Sequence, residues 1–167
     1  MTAGPTPSQT AGPLFGFALI WPGSDQAAAP DEPGALRIEG VVLDGAGAPY
    51  GYPECFVEVW HGEQWARART DEQGAWRVVV RKPPPGETPD GQPLAPHLNV
   101  TLFGRGLLKQ AQTRLYFPDE AERNARDAVL ALVPSERRHT LLARETGDGL
   151  RFDVNMQGDD ETVFFEL

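Results

Sequence analysis

Apolar and polar residues alternate along this chain in short runs, and glycine and proline separate the runs. The stretch Ala95-Pro96-His97-Leu98-Asn99-Val100-Thr101-Leu102-Phe103-Gly104-Arg105-Gly106 shows the pattern best. Leu98, Val100 and Leu102 interleave with His97, Asn99, Thr101 and Phe103, the two-residue period that a strand imposes. Pro93 and Pro96 mark its start, because proline is tolerated at a strand's first residues but not inside it. Gly104 and Gly106 close it and free the backbone around Arg105. The same reading predicts strands over 36–43, 55–60, 65–70, 75–81 and 111–117, with turns at 44–47 and 71–74. Segment 14–21 (LFGFALIW) is a first strand or an anchor on the core, and 22–34 reads as a loop. Pro83, Pro84 and Pro85 open an irregular loop that runs to Pro93. Residues 118–126 (PDEAERNAR) predict one short helix, with proline first, acids in the first turn and arginine late. Residues 134–138 suit a further helical turn. Segments 139–145 and 150–157 suggest a hairpin around 146–149, and 162–167 a final strand. About eight or nine strands with one or two short helices predict an all-β fold, a β-sandwich in a single domain spanning 1–167.

Composition narrows the possibilities. The 167 residues suffice for one domain with a real core, and 18 glycines with 16 prolines favour a sandwich over a helical bundle. The net charge of -9 argues against nucleic acid and anionic membranes as partners, since both would repel it. Cys55 is the one cysteine, so no internal disulfide is possible, and its strand-like setting suits a small buried residue. No apolar run approaches ~20 residues, and no export signal is visible at the start. These features predict a soluble cytoplasmic protein.

Reactive groups are few. The histidines are His61, His97 and His139, and the tyrosines Tyr50, Tyr52 and Tyr116. There is no zinc-spaced Cys/His cluster, no phosphate loop and no nucleophile elbow around Ser8, Ser24 or Ser135. Glu58 in CFVEVW lacks a partner carboxylate and reads as a satisfied or edge-facing side chain. His97 and Asn99 share a strand face. Two histidines there would grip a metal, but an amide is a weak neutral ligand, so the run looks like a metal-site strand without its metal. Arg105, between two glycines at the strand's end, is either a solvated surface cation or a group that holds a carboxylate by paired hydrogen bonds. The proline-rich start, 1–16, is either a disordered tail or an arm lying across a partner. On this inventory alone the chain is a binding or structural sandwich.

Several blocks carry a resemblance. They are TPSQTAGP at 6–13, VEVW at 57–60, APH at 95–97 leading to LF at 102–103, TRLYF at 113–117, RFD at 151–153 and ETVFF at 161–165. Together they resemble the protocatechuate 3,4-dioxygenase alpha chains of the intradiol ring-cleavage dioxygenase family, over nearly the whole chain. The resemblance implies a β-sandwich that pairs with a beta chain in a hetero-oligomer of alpha-beta pairs. It implies an oxidoreductase of aromatic catabolism, in the beta-ketoadipate pathway, that opens 3,4-dihydroxybenzoate with O2 to 3-carboxy-cis,cis-muconate. In that family a non-haem Fe(3+) is held by two tyrosines and two histidines of the beta chain, and the alpha chain carries a decayed copy of the site.

Position by position, the resemblance implies that this chain has the decayed copy. The family's H-x-H strand matches His97-Leu98-Asn99, so the second histidine is lost. The two tyrosines fall near Pro85 and Gly86, where there is none, and near Trp65, whose indole N–H only donates. No metal site is therefore expected in this chain. The resemblance also implies that the 1–16 arm reaches the beta chain's pocket through Thr10, Gly12 and Pro13, and that Arg105 faces the same pocket as a substrate-side cation. Leu14 stands where some relatives have an aromatic residue, and 62–69 is shorter here. Two rival expectations stand beside this one. One is a stand-alone iron dioxygenase using His97, His61 and Tyr116, and the other a non-enzymatic sandwich that binds a small molecule or protein.

Overall fold

The computed structural model describes residues 18–51, 55–105 and 107–166. The strands run in chain order as β1 (Ala35–Leu43), β2 (Cys55–His61), β3 (Gln64–Arg69), β4 (Ala75–Arg81), β5 (Gly86–Glu87), β6 (Pro93–Leu94), β7 (His97–Gly104), β8 (Ala111–Tyr116), β9 (Arg144–Thr146), β10 (Gly149–Arg151) and β11 (Val154–Asn155). They form two principal sheets and one minor hairpin. In the first sheet β1 is central. It pairs antiparallel with β4 on one side, and on the other runs parallel to β10 at Ile38 and Glu39 and to β11 at Val42 and Leu43. Strand β9 joins through β10. The second sheet has the order β3-β2-β7-β8, antiparallel throughout.

The period-two pattern explains what lies between the sheets. Ile38 and Val42 from β1 meet Cys55, Val57 and Val59 from β2 and Leu98, Val100 and Leu102 from β7 in one buried cluster. Cys55 is a core residue, and burial pushes its thiol pKa up. Gly40 lets the sheets' connections close: a Cβ there would lie 1.8 Å from the Phe152 carbonyl oxygen, so no side chain fits. The predicted turns form by one shared device. Asp44 accepts from the amides of Ala46 and Ala48 at 2.8 and 2.9 Å, and Asp71 from those of Gln73 and Ala75, both at 2.9 Å.

A second, smaller cluster covers the outer side of β7 and β8. It joins Ala95, Tyr116, Leu130, Val133 and Leu141, with Val163 and Phe165 packed against it. Its residues come from irregular chain and from short helical turns: 3₁₀ turns at Pro118–Glu120, Leu130–Leu132 and Ser135–Leu141, and one α-helical turn, α1 (Ala121–Asn124). The helix expected over 118–126 is therefore a 3₁₀ turn running into a single α turn. No helix among the described residues is long and apolar enough to cross a membrane.

Several local expectations differ from what is seen. The hairpin around 146–149 is present but short, because His139 belongs to a 3₁₀ turn and Asp153 interrupts the return strand. Residues 162–166 form no strand. They are held by isolated backbone bonds, Thr162 N–H to Asn155 O and Phe165 N–H to Gln112 O, at 2.9 and 2.7 Å. In the loop before Pro93, Thr88 and Gln92 close a turn that supports the two-residue ladder of β5 and β6. The described part of the 14–21 segment is not a strand.

Candidate functional site

Register alone assembles the outer face of the second sheet. Asn99 lies opposite Trp60 on β2 and Arg114 on β8, and Trp60 lies opposite Trp65 on β3. Directly opposed residues share a face. One row therefore carries Trp65, Trp60, Asn99 and Arg114. The next carries Arg67, Glu58, Thr101 and Gln112. His97 pairs with Tyr116 at the end of the same face.

His97 is 4% exposed. Its Nδ1 lies 2.8 Å from the Ala95 carbonyl oxygen. That oxygen can only accept, so Nδ1 carries the proton and Nε2 keeps its lone pair. His61, at the end of β2, turns its ring edge onto His97 at 5.4 Å, and Tyr116 lies 5.7 Å away on the other side. Burial lowers the His97 pKa to about 4, opposed by the bond to Ala95 and assisted by the nearby charge of Arg114. The His61 pKa is also lowered, by burial first and then by Arg114. Burial raises the Tyr116 pKa, with the nearby Arg114 guanidinium pulling the other way.

Asp127 fixes this corner. It is 1% exposed. Its Oδ1 accepts from the Tyr116 hydroxyl at 3.0 Å and from the Val129 and Leu130 amides at 2.9 and 2.7 Å. Its Oδ2 accepts from the Ala95 amide at 2.7 Å. Through Ala95 it sets the residue that in turn orients His97. Arg114 completes the group, lying over the Phe165 ring at 5.9 Å with its Nη1 buried and lacking any hydrogen-bond partner.

A ferric ion of the implied kind needs anionic phenolates and lone-pair imidazoles. The residues here do not fit it. Asn99 replaces one imidazole, Tyr116 is held protonated by burial with its hydroxyl spent on Asp127, and a guanidinium stands among the remaining donors. Pro85 and Gly86 offer no donor side chain. No group of three or more His, Cys, Asp or Glu among the described residues is arranged to hold a metal. The rival ligand trio His97, His61 and Tyr116 is brought together in space, with Arg114 beside it.

Trp65, the other position matched to a tyrosine, stacks on Trp21 at 5.7 Å. Beside the pair, Arg67 donates its Nε to Glu58 at 2.8 Å and its Nη1 to the Leu19 carbonyl at 2.6 Å. Glu58 is thus a satisfied ion-pair partner. His139 is exposed and faces Asp160 at 3.6 Å.

Arg105 is exposed in the turn that follows β7, where the Leu107 amide donates to the Gly104 carbonyl at 3.0 Å. The Tyr50 hydroxyl donates to the Arg105 carbonyl at 2.9 Å. Gly104 permits this, since a Cβ there would sit 2.7 Å from the Tyr50 oxygen. Thr10, Gly12 and Pro13 lie outside the described residues, as do Gly106 and Tyr52. Sequence reasoning missed Arg114 and Asp127. The strand register could have found Arg114, two residues before Tyr116. Nothing local marks Asp127, whose partners are distant in sequence.

Comparison with known proteins adds two findings. No family model matches the chain. The chain is 38% identical to a protocatechuate 3,4-dioxygenase alpha chain of Pseudomonas putida, covering 97% of this chain and 96% of that one. It is 39% identical to the protein of the same name from Burkholderia cepacia, with 97% of each covered. Among solved structures, the dioxygenase domain of a carbohydrate-binding fusion from Streptomyces sp. SirexAA-E superposes with a TM-score of 0.61 at 24% identity, covering 92% of this chain and 99% of that one. Catechol 1,2-dioxygenase of Acinetobacter sp. ADP1 gives 0.58 at 16% identity, over 81% of this chain and 58% of its own. These two likenesses bear on the fold.

Proposed function

As this chain belongs to the family of protocatechuate 3,4-dioxygenase alpha chains, we propose that it is the subunit without metal in such an enzyme, paired with a beta chain that holds Fe(3+). The complex opens 3,4-dihydroxybenzoate between its hydroxylated carbons with O2, giving 3-carboxy-cis,cis-muconate. The observation that carries this reading is the mismatch at the metal strand. A chain 38% identical to a named dioxygenase subunit over 97% of its length offers an imidazole at His97, an amide at Asn99 and no phenolate at Pro85, Gly86 or Trp65, where four ligands would stand.

The chain's own contribution is to the walls of the partner's pocket. Thr10, Gly12 and Pro13 line it from the arm, and Arg105 presents a cation to the anionic ring substituent or product. Support for Arg105 comes from its setting: the guanidinium springs from a turn whose backbone is tied to Tyr50, on a core strand. A guanidinium can hold a carboxylate by two parallel hydrogen bonds.

The experiment is co-expression with a candidate beta chain, followed by metal analysis and oxygen uptake on protocatechuate. The chain alone is expected to be colourless and inactive, and the complex to show red-brown tyrosinate-to-iron absorption. Arg105→Ala lowers turnover of the complex and leaves its iron content intact. Stoichiometric iron and oxygen consumption in this polypeptide by itself refutes the reading.

A further inference from the structure

His61, His97 and Tyr116 gather at one end of the outer face, with Tyr116 also part of the buried cluster there. Three potential donors sit with ring separations of 5.4 and 5.7 Å, and both imidazoles are kept neutral. The protonated Nδ1 of His97 is anchored on a carbonyl, which leaves Nε2 as a lone pair of fixed direction, the usual state of a metal-binding histidine. A lost histidine at Asn99 removes one donor and leaves two imidazoles, a ligand type that zinc accepts. The feature that sets this cluster apart is Arg114. It lies opposite Asn99 in register on the face that carries His97 and Tyr116, acts electrostatically on both histidines and keeps Nη1 buried without an acceptor.

We propose that Arg114 closes the His61–His97–Tyr116 cluster to metal ions, its guanidinium supplying the positive charge that an incoming cation would have to displace. The loss of a ligand at position 99 is then a second barrier and not the decisive one. Like charges explain the strength of the effect. At an effective dielectric of about 20 and a separation of roughly 6 Å, one fixed positive charge lowers the affinity of a dication on the order of ten-thousandfold. Exposure of the face to solvent reduces that figure. The consequence for assembly is selectivity: the metal goes to the partner because this face rejects it. The inference deepens the proposed function, resting on its view of this strand as a former metal strand, but its test needs neither the partner nor turnover.

Zinc binding to the full-length chain, measured by calorimetry, tests it. Four variants are compared with the parent: R114Q, R114K, N99H and N99H/R114Q. R123Q, which removes a distant ion-paired arginine, controls for net charge. R114Q is expected to bind zinc at least tenfold more tightly than the parent, and N99H/R114Q more tightly still. R114K, N99H and R123Q are expected to match the parent. The proposal is overturned if R114Q, with the parent's circular dichroism and a cooperative melt, gains nothing. It is equally overturned if R123Q gains as much as R114Q. N99H keeps the Arg114 guanidinium, so it decides the matter even where R114Q fails to fold. Zinc bound by N99H at least tenfold more tightly than by the parent overturns the proposal, and no gain upholds it. An inactive alpha-beta complex, by contrast, would count against the proposed function and leave these zinc affinities unchanged.

Discussion

Asp127→Ala should unfold the corner that carries His97. The residue is 1% exposed and accepts four hydrogen bonds: from the Tyr116 hydroxyl and from the amides of Ala95, Val129 and Leu130. Alanine leaves all four donors without a partner. Each buried donor left unmet costs about 1–3 kcal/mol, and relaxation or water entry recovers part of that. Taking the lower end for each gives a loss of about 4 kcal/mol. For a domain of this size that corresponds to a fall in Tm of roughly 8–16 °C. Tyr116→Phe removes one donor and leaves three bonds to Asp127, so it should cost only about 1 kcal/mol. The assay is urea unfolding of parent and variants at one protein concentration and in one assembly state, because association shifts apparent stability. The double variant should show that the Tyr116 substitution costs less once Asp127 is gone. A loss below about 1 kcal/mol for Asp127→Ala refutes the claim that this carboxyl group organises the corner.

Acid should destabilise the chain through His97. Its folded pKa of about 4 lies below the unfolded value near 6.5, so the unfolded state binds the extra proton. Its contribution is complete above pH 6.5 and is lost as pH falls through about 4, up to about 3 kcal/mol over the window. His97→Gln should flatten the stability-against-pH profile there, and an unchanged slope counts against burial as the cause. Gly104→Ala brings a Cβ within 2.7 Å of the Tyr50 oxygen and must displace the ring that holds the Arg105 carbonyl. In the alpha-beta complex it should lower turnover in the same direction as Arg105→Ala, and kinetics equal to the parent's would separate Arg105 from its Tyr50 support.

Much of the fold can be read from alternation. Leu98, Val100 and Leu102 face the core as the two-residue period requires, and His97 and Asn99 share the other face. Both aspartate turns follow from local chemistry, since Asp44 and Asp71 bond to amides two and four residues on. What the pattern does not contain is the covering of the outer face. Leu130, Val133 and Leu141 come from short helical turns whose burial depends on a distant strand. The tail at 162–166 has a strand's composition but finds no long edge to pair with, so it is pinned at single points. Thr10, Gly12 and Pro13 rest on the resemblance alone and lie outside the described residues. Arg105 is proposed both from its flanking glycines and from the resemblance. Arg114 and Asp127 acquire meaning only once β8 is laid beside β7 and residues 32 apart come into contact.

The packing of Arg67 has a mechanical consequence. Its guanidinium is flanked by Trp21 and Trp65, bonded to Glu58 and clipped to the carbonyl of Leu19. The Ser24 hydroxyl and carbonyl tie the same stretch to the Arg67 backbone, at 2.9 and 2.5 Å. The stretch from Leu19 to Ser24 is therefore riveted to the sheet that bears His97 and Asn99. Cutting that rivet, as in Arg67→Ala, would release the Leu19 carbonyl and leave the backbone tie at Ser24 to hold the stretch alone. Position 67, well inside a strand, thus governs how firmly a segment more than forty residues earlier is seated.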